Sequence, residues 1–329
     1  MEDLLNIFEI EKLLDKLEEK INFLRNLKDQ GKLSNPQELD ILEYKTNQII
    51  QELKAKIHPF NRVQIARHPK RPVFQDLIEN VFSDFVELKG DRYLGDDLAI
   101  TGGVAKIEGY PVFVIGHNKG KTTNEKIKRN YGMPNPEGFY KAIRLMDVAN
   151  NFRTPLITVV DTPGAYPGDT AEQRGQYIAI AKSIHKMFEL DIPVICLILS
   201  EGGSGGALAL AVANYVLMME NAYYSVISPE GAASILYRDS SKAALASRNL
   251  KLTSYDLLKM GVIDEIIFEP FMGMHRNLRQ SYQDIKNKII EYLIRGVEEL
   301  KNPKKHRFER FRKMGIFKSL DSVMKNLVS

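Results

Sequence analysis

Hydrophobic positions in residues 1–58 recur with helical spacing. Ile10, Leu14, Leu17, Ile21 and Leu24 alternate steps of four and three, with Glu and Lys between them, which lays one apolar stripe along a helix. Gly31 interrupts it. Asn35-Pro36-Gln37-Glu38 then combines an N-cap residue, a proline at the first helical position and a capping-box acid, and Leu39, Leu42, Ile49, Leu53 and Ile57 carry a second stripe. A helical hairpin results, serving either as an arm for a partner subunit or as a cover for its own domain.

From about Asp97 the pattern changes to short apolar runs bounded by glycines. Residues 99–107 and 111–115 flank Glu108-Gly109, a tight hairpin turn. A helix is predicted over 137–151, a strand over 156–160, a long helix over 171–190, a strand over 193–199 and a helix starting near Ala207. Continuous apolar strands alternating with helices indicate a parallel sheet buried on both faces. The early hairpin and a later pair, 215–219 with 223–227, make strand–strand–helix units, so the α/β fold should be a spiral of such units. A helix over 278–300 and the basic run KNPKKHRFERFRK follow. The organisation read from this is a hairpin (1–58), one large α/β domain (59–300) and a basic tail (301–329).

Composition narrows the class. With 44% hydrophobic and 27% charged residues the 329-residue chain is ordinary globular protein. A net charge of +4 is too small for a dedicated nucleic-acid binder. One cysteine, Cys196, supports neither a disulfide framework nor a Cys-ligated zinc site, and six histidines show no paired ligand spacing, so no metal is expected in this chain. Ala207 to Met219 is broken by Asn214 and falls short of the ~20 residues needed to span a bilayer. The acidic N-terminus lacks a secretory or transit pattern. A cytoplasmic protein whose mature chain starts at Met1 is the expectation.

Two glycine-rich turns close successive parallel strands: Asp161-Thr162-Pro163-Gly164-Ala165-Tyr166-Pro167-Gly168 and Glu201-Gly202-Gly203-Ser204-Gly205-Gly206-Ala207. Ligands of open α/β sheets bind at that edge, and a helix start there offers N–H groups to an oxyanion. The bland alternative is that the glycines only permit close packing. Gly202 to Gly206 also satisfies the G-x-S-x-G pattern of a serine nucleophile elbow, with Asp264 and His275 following in hydrolase order. The segment Gly116-His117-Asn118-Lys119-Gly120-Lys121-Thr122 is one residue short of a phosphate-binding Walker A loop, which excludes a nucleotide triphosphatase. Its Lys119 and Lys121, with Lys126, Lys128 and Arg129, could meet a phosphorylated substrate tail or form a solvated surface. Ser228-Pro229-Glu230-Gly231 reads as a helix start of architectural value.

The runs RVQIARHPKRP, FVELKGDR, ITGGVAKIEGYPVFVIGHNKG, RNYGMPNPEGFYKAIRLM, DTPGAYPG, AEQRGQ, EGGSGGALA and YSVISPEGAASIL, in order over about residues 60–277, resemble the carboxyltransferase alpha subunit of multi-subunit acetyl-CoA carboxylase. One departure is EPFMGMHR (269–276), where Met272 and Met274 stand in place of a Gly-Gly-Ala before the His. The resemblance implies a crotonase-like (ClpP/crotonase) fold. It implies transfer of a carboxyl group from carboxybiotin, held on the biotin carboxyl carrier protein and charged by biotin carboxylase, to acetyl-CoA, giving malonyl-CoA for fatty-acid synthesis. It also implies an α2β2 assembly with a beta subunit bearing a zinc ribbon, in a bacterial cytoplasm or a plastid stroma. Carried onto this sequence, the N–H groups of Gly205 and Gly206 are the catalytic oxyanion donors. Gly203, Ser204, Gly164, Ala165, Tyr166, Lys119 and Lys121 are substrate-binding.

Overall fold

The computed structural model describes residues 4–315. Its N-terminal part is the hairpin, helices Ile7–Asp29 and Pro36–Ala55. Asn6 and Asn35 cap them through side-chain oxygens that accept from Glu9 N–H and Gln37 N–H. Leu14 and Ile21 turn inward as expected. On the second helix the inward stripe is Leu39, Leu42, Thr46, Ile50 and Leu53, whereas Ile49 faces solvent. The first helix rests on its own domain: Ile7 and Leu14 join Ile65 and Met272 in one buried cluster. Met272 adopts φ 71°, a conformation that favours glycine, and its buried side chain fills the seat beneath the hairpin.

Among the described residues eight strands form one sheet: β1 (Ser83–Glu87), β2 (Ile100–Ile107), β3 (Tyr110–His117), β4 (Leu156–Thr162), β5 (Val194–Gly203), β6 (Tyr215–Met219), β7 (Tyr223–Ser225) and β8 (Glu265–Ile267). The order is β1-β2-β3-β4-β5-β6-β8. The first three strands pair antiparallel and the rest parallel. Glu108 and Gly109 join β2 to β3 with φ of 46° and 84°, the double positive φ of a type I′ hairpin turn. Strands β4 and β5 are buried along their whole length, which is why their sequences run apolar without alternation. Helix Pro136–Asn151 lies against β2 and β3, and helix Leu278–Glu299 against β5 and β8.

Three features depart from the sequence pattern. The helix expected over 171–190 is two, Asp169–Gln173 and Gln176–Glu189, separated at Gly175 with φ 78°. Strands β6 and β7 do not pair with each other. Instead β6 pairs with Ile195 to Ile198, and β7 continues along the same flank of β5 at Glu201 to Gly203. The basic run after residue 301 is helical over Pro303–Lys313, and its Arg307 is fully buried, donating to Ile192 O, Leu190 O and Asn214 Oδ1. Among the described residues no helix is long and apolar enough to cross a membrane.

Candidate active site at the abutting glycine turns

Strands β4 and β5 deliver the two turns to the same edge of the sheet, where their ladder is interrupted. Val160 pairs with Ile198 but Thr162 pairs with Gly202, so β5 carries two extra residues in that interval. Beyond the irregularity the turns touch backbone to backbone. A Cβ on Gly203 would lie 2.0 Å from Pro163 O, and one on Gly206 would lie 2.4 Å from Ala165 N. Glycine at these two positions is required by the seam. The first turn is tied back by Tyr166 N–H to Pro134 O (2.9 Å) and by Gln176 Nε2 to both Pro134 O and Tyr166 O.

The second turn opens outward. Ser204, at φ 52° and exposed, begins a short helix, Ser204–Leu208. Ser204 and Gly205 line a cavity of about 360 Å³ with Leu208, Tyr224, Val226 and Leu257, and among the described residues no charged side chain borders it. Such a wall suits a neutral ring system whose polar atoms are met by N–H groups at the helix start. The predicted residues therefore divide. Ser204 and Gly205 face the cavity, while Gly203, Gly206, Gly164 and Ala165 make the seam behind it. Tyr166 covers Gly168, where a Cβ would meet its ring at 2.4 Å.

Lys119 and Lys121 lie elsewhere, on a second cavity of about 430 Å³. Lys121 pairs with Asp76 and Glu79 at 2.7 and 2.9 Å. For Lys119 the sequence leaves a phosphorylated tail and a solvated surface open; its ammonium sits between Asp161 Oδ1 (2.7 Å) and Glu201 Oε1 (2.6 Å). The reason is local: burial would strip the ammonium of solvent, and these two carboxylates restore its charge and raise its pKa. Glu201 also accepts from Arg67 Nε (2.8 Å) and Tyr223 OH (2.6 Å), and Arg67 continues to Glu230 (2.7 Å). Burial would push the Glu201 carboxyl up, but Lys119 and Arg67 outweigh it and hold the group at about 2. For Asp161 burial dominates and the pKa is raised despite Lys119. His117 is buried beside Lys119, and desolvation depresses it to about 3, so the ring is neutral.

Sequence reasoning assigned no role to Arg67, Asp161, Glu201 or Tyr223. The signal was present in part, since Asp161 and Glu201 head the two glycine turns. What sequence spacing did not reveal is that a lysine from the loop just after β3 spans them.

The hydrolase constellation does not assemble. Asp264 accepts from Val216 N–H (2.7 Å) and pairs with Arg310, and His275 is committed to Glu11 (2.8 Å) and stacked on His68 with ring centroids 4.1 Å apart. Glu11, His68 and His275 bring three ligand-type atoms together. However, His68 Nδ1 accepts the Lys70 N–H (3.2 Å), so a neutral ring carries its proton on Nε2 and donates to Glu11 at 2.9 Å. A metal-ligating imidazole uses its second nitrogen the other way, as a donor. This cluster is a hydrogen-bonded latch between the hairpin and the domain.

Residues 7–315 match the family described as acetyl co-enzyme A carboxylase carboxyltransferase-like. A protein of Oceanobacillus iheyensis described as acetyl-coenzyme A carboxylase carboxyl transferase subunit alpha is 44% identical over 317 residues, which span 95% of this chain and 99% of that one. A Geobacillus kaustophilus protein of the same description is 47% identical over 311 residues, 93% of this chain and 95% of the other. Among solved structures, transcarboxylase 12S superimposes with a TM-score of 0.58 at 21% identity, over 69% of this chain and 42% of that chain. The Pseudomonas malonate decarboxylase hetero-dimer gives 0.54 at 15%, over 71% of this chain and 92% of its own. These two show the architecture to be the crotonase-like α/β fold.

Proposed function

Because the chain belongs to the family of acetyl-coenzyme A carboxylase carboxyl transferase alpha subunits, we propose that its abutting turns serve biotin-dependent carboxyl transfer to acetyl-CoA, yielding malonyl-CoA for fatty-acid synthesis. One observation carries the reading: a seam of two glycine turns opens on an uncharged cavity at the carboxyl edge of the sheet.

Carboxyl transfer develops negative charge on two oxygens, the ureido oxygen of biotin and the thioester oxygen of acetyl-CoA. Preorganised N–H donors facing one such oxygen contribute ~3–4 kcal/mol. In this chain the N–H groups of Gly205 and Gly206 are assigned to the ureido oxygen, with Gly203 and the Gly164-Ala165 backbone fixing where they point. The cavity residues Leu208, Tyr224 and Val226 exclude water and receive the bicyclic ring, which the absence of charge around them suits. Biotin, when bound, would supply the base for the methyl proton of acetyl-CoA, so no side-chain base is required of this chain. Lys121, whose side chain is exposed on the second cavity, is the residue assigned to the phosphorylated end of coenzyme A, a contact for which it exchanges its surface pairs with Asp76 and Glu79.

The second oxyanion site falls to a beta subunit carrying the zinc ribbon, in an α2β2 assembly served by the biotin carboxyl carrier protein and biotin carboxylase. A single, buried Cys196 in this chain fits that division. The cytoplasm is the compartment assigned here, a reading that the bacterial relatives support. Co-expression with a zinc-ribbon partner, followed by malonyl-CoA-dependent carboxylation of free biotin, tests the reading. Turnover that requires both subunits supports it, and a stable complex without turnover removes it.

A further inference from the structure

The two turns that make the proposed site meet just beyond a break in the β4–β5 ladder. Between Val160/Ile198 and Thr162/Gly202 the β4–β5 ladder lapses, and side chains take its place. Asp161 Oδ1 accepts the Glu201 N–H at 3.2 Å. Lys119, from the residues just after β3, reaches both Asp161 and Glu201. The strand pair that ends in the catalytic seam is thus closed by a lysine from a third chain segment.

The surroundings leave that lysine little freedom. Tyr131 and Gly132 pass over it with φ of 55° and 79°, so close that a Cβ on Gly132 would lie 2.7 Å from Lys119 Cγ and 3.1 Å from Asp161 O. On its far side Glu201 is fixed by Tyr223 OH and Arg67. Two donors of the ammonium are spent on carboxylates. Downstream of the bulge the turns meet with no room for a Cβ at Gly203 or Gly206, so a displacement of Glu201 passes directly into the placement of Ser204 to Gly206.

We propose that Lys119 is a positioning residue for carboxyl transfer, setting the spacing of the two glycine turns by bridging the carboxylates that head them. This rests on the functional reading above, and it replaces the substrate contact expected of Lys119. A phosphate ligand would act on substrate affinity. A positioning residue acts on turnover, because it governs donors that matter most as charge develops.

Lys119→Met alone strands two buried carboxylates and can compromise folding. Lys119→Met/Asp161→Asn is the informative variant, since Glu201 keeps Arg67 and the charge lost from the lysine is matched by the charge lost from the aspartate. In the complex with the beta subunit, the double variant should melt near wild type. Its kcat for biotin carboxylation should fall at least tenfold, with KM for malonyl-CoA within about twofold. Amide exchange over residues 199–208 should accelerate severalfold, a readout independent of turnover. Recovery of kcat together with melting temperature, or a raised KM at unchanged kcat, would overturn the proposal, as would unchanged exchange. An inactive wild-type complex would instead count against the functional reading, while the exchange result still decides the role of Lys119.

Discussion

Glu11 Oε1 and His275 Nε2 meet at 2.8 Å across 264 residues of sequence. The same carboxylate accepts from His68, and Arg276 pairs with Asp15 and Glu18 one and two turns further along the first helix. Three acids at helical spacing therefore hold the hairpin onto its domain, with Lys70 and Arg71 nearby adding positive charge.

Docking of the hairpin should weaken on acidification. Burial lowers both His68 and His275 from the ordinary 6.5, against the opposing pull of Glu11. Burial would raise Glu11, but the hydrogen bond from His275 and the charge of His68 leave it lowered from 4.5. A histidine lowered in the docked state favours docking fully above 6.5, and that stability is lost as pH falls toward the docked value. A lowered carboxyl acts in the same direction, losing its contribution below 4.5. Protection factors of the amides in residues 7–21 should fall between pH 8 and pH 5.5, and constant protection would contradict the latch.

Ser204 separates two roles through its backbone. A non-glycine residue at φ 52° costs about 1 kcal/mol that glycine does not incur. Ser204→Gly should therefore stabilise by about that amount in thermal unfolding, and Ser204→Ala should not. Neither should abolish carboxyl transfer, and a fluorophosphonate should leave the serine unlabelled. Complete loss of turnover in both, with labelling of the wild type, would restore the hydrolase reading.

Glycines of the seam and of the cavity should respond differently. Gly203→Ala places a methyl 2.0 Å from Pro163 O, a backbone atom that cannot give way, whereas Gly205→Ala meets only Ile180 Cγ2 at 3.3 Å. The first should lose fold and activity together. The second should keep its melting temperature within a few degrees and lose turnover, as measured by calorimetry beside a transfer assay.

Arg307 anchors the last described helix. Its burial lowers the guanidinium to about 10, and it serves three acceptors, Ile192 O, Leu190 O and Asn214 Oδ1. Arg307→Ala leaves them in the interior and should destabilise by about 3 kcal/mol, taking 1–3 kcal/mol per unsatisfied group. Substrate KM should not change, because the site lies elsewhere.

What could be read from the sequence followed the range of the interactions. The Glu108-Gly109 turn and the Ser228 helix start, whose Oγ accepts Gly231 N–H, are decided by neighbouring residues. So are the β4 and β5 runs. Three kinds of feature were not legible. Gly175 breaks a stretch whose sequence reads as one helix, β7 chooses β5 over its sequence neighbour β6, and Lys119 finds carboxylates 42 and 82 residues away. The basic charge of residues 303–313 pointed to a tail, because nothing local shows that Arg307 meets buried carbonyls. The resemblance located the turns but not the side chains that hold them together.

The most direct measurement is malonyl-CoA-dependent carboxylation of biotin by the purified complex, wild type beside Gly205→Ala. The account requires turnover in the wild type and at least a tenfold lower kcat in the variant, with the assembly and its melting temperature intact. Equal turnover in the two would remove the Ser204–Gly206 turn from the chemistry.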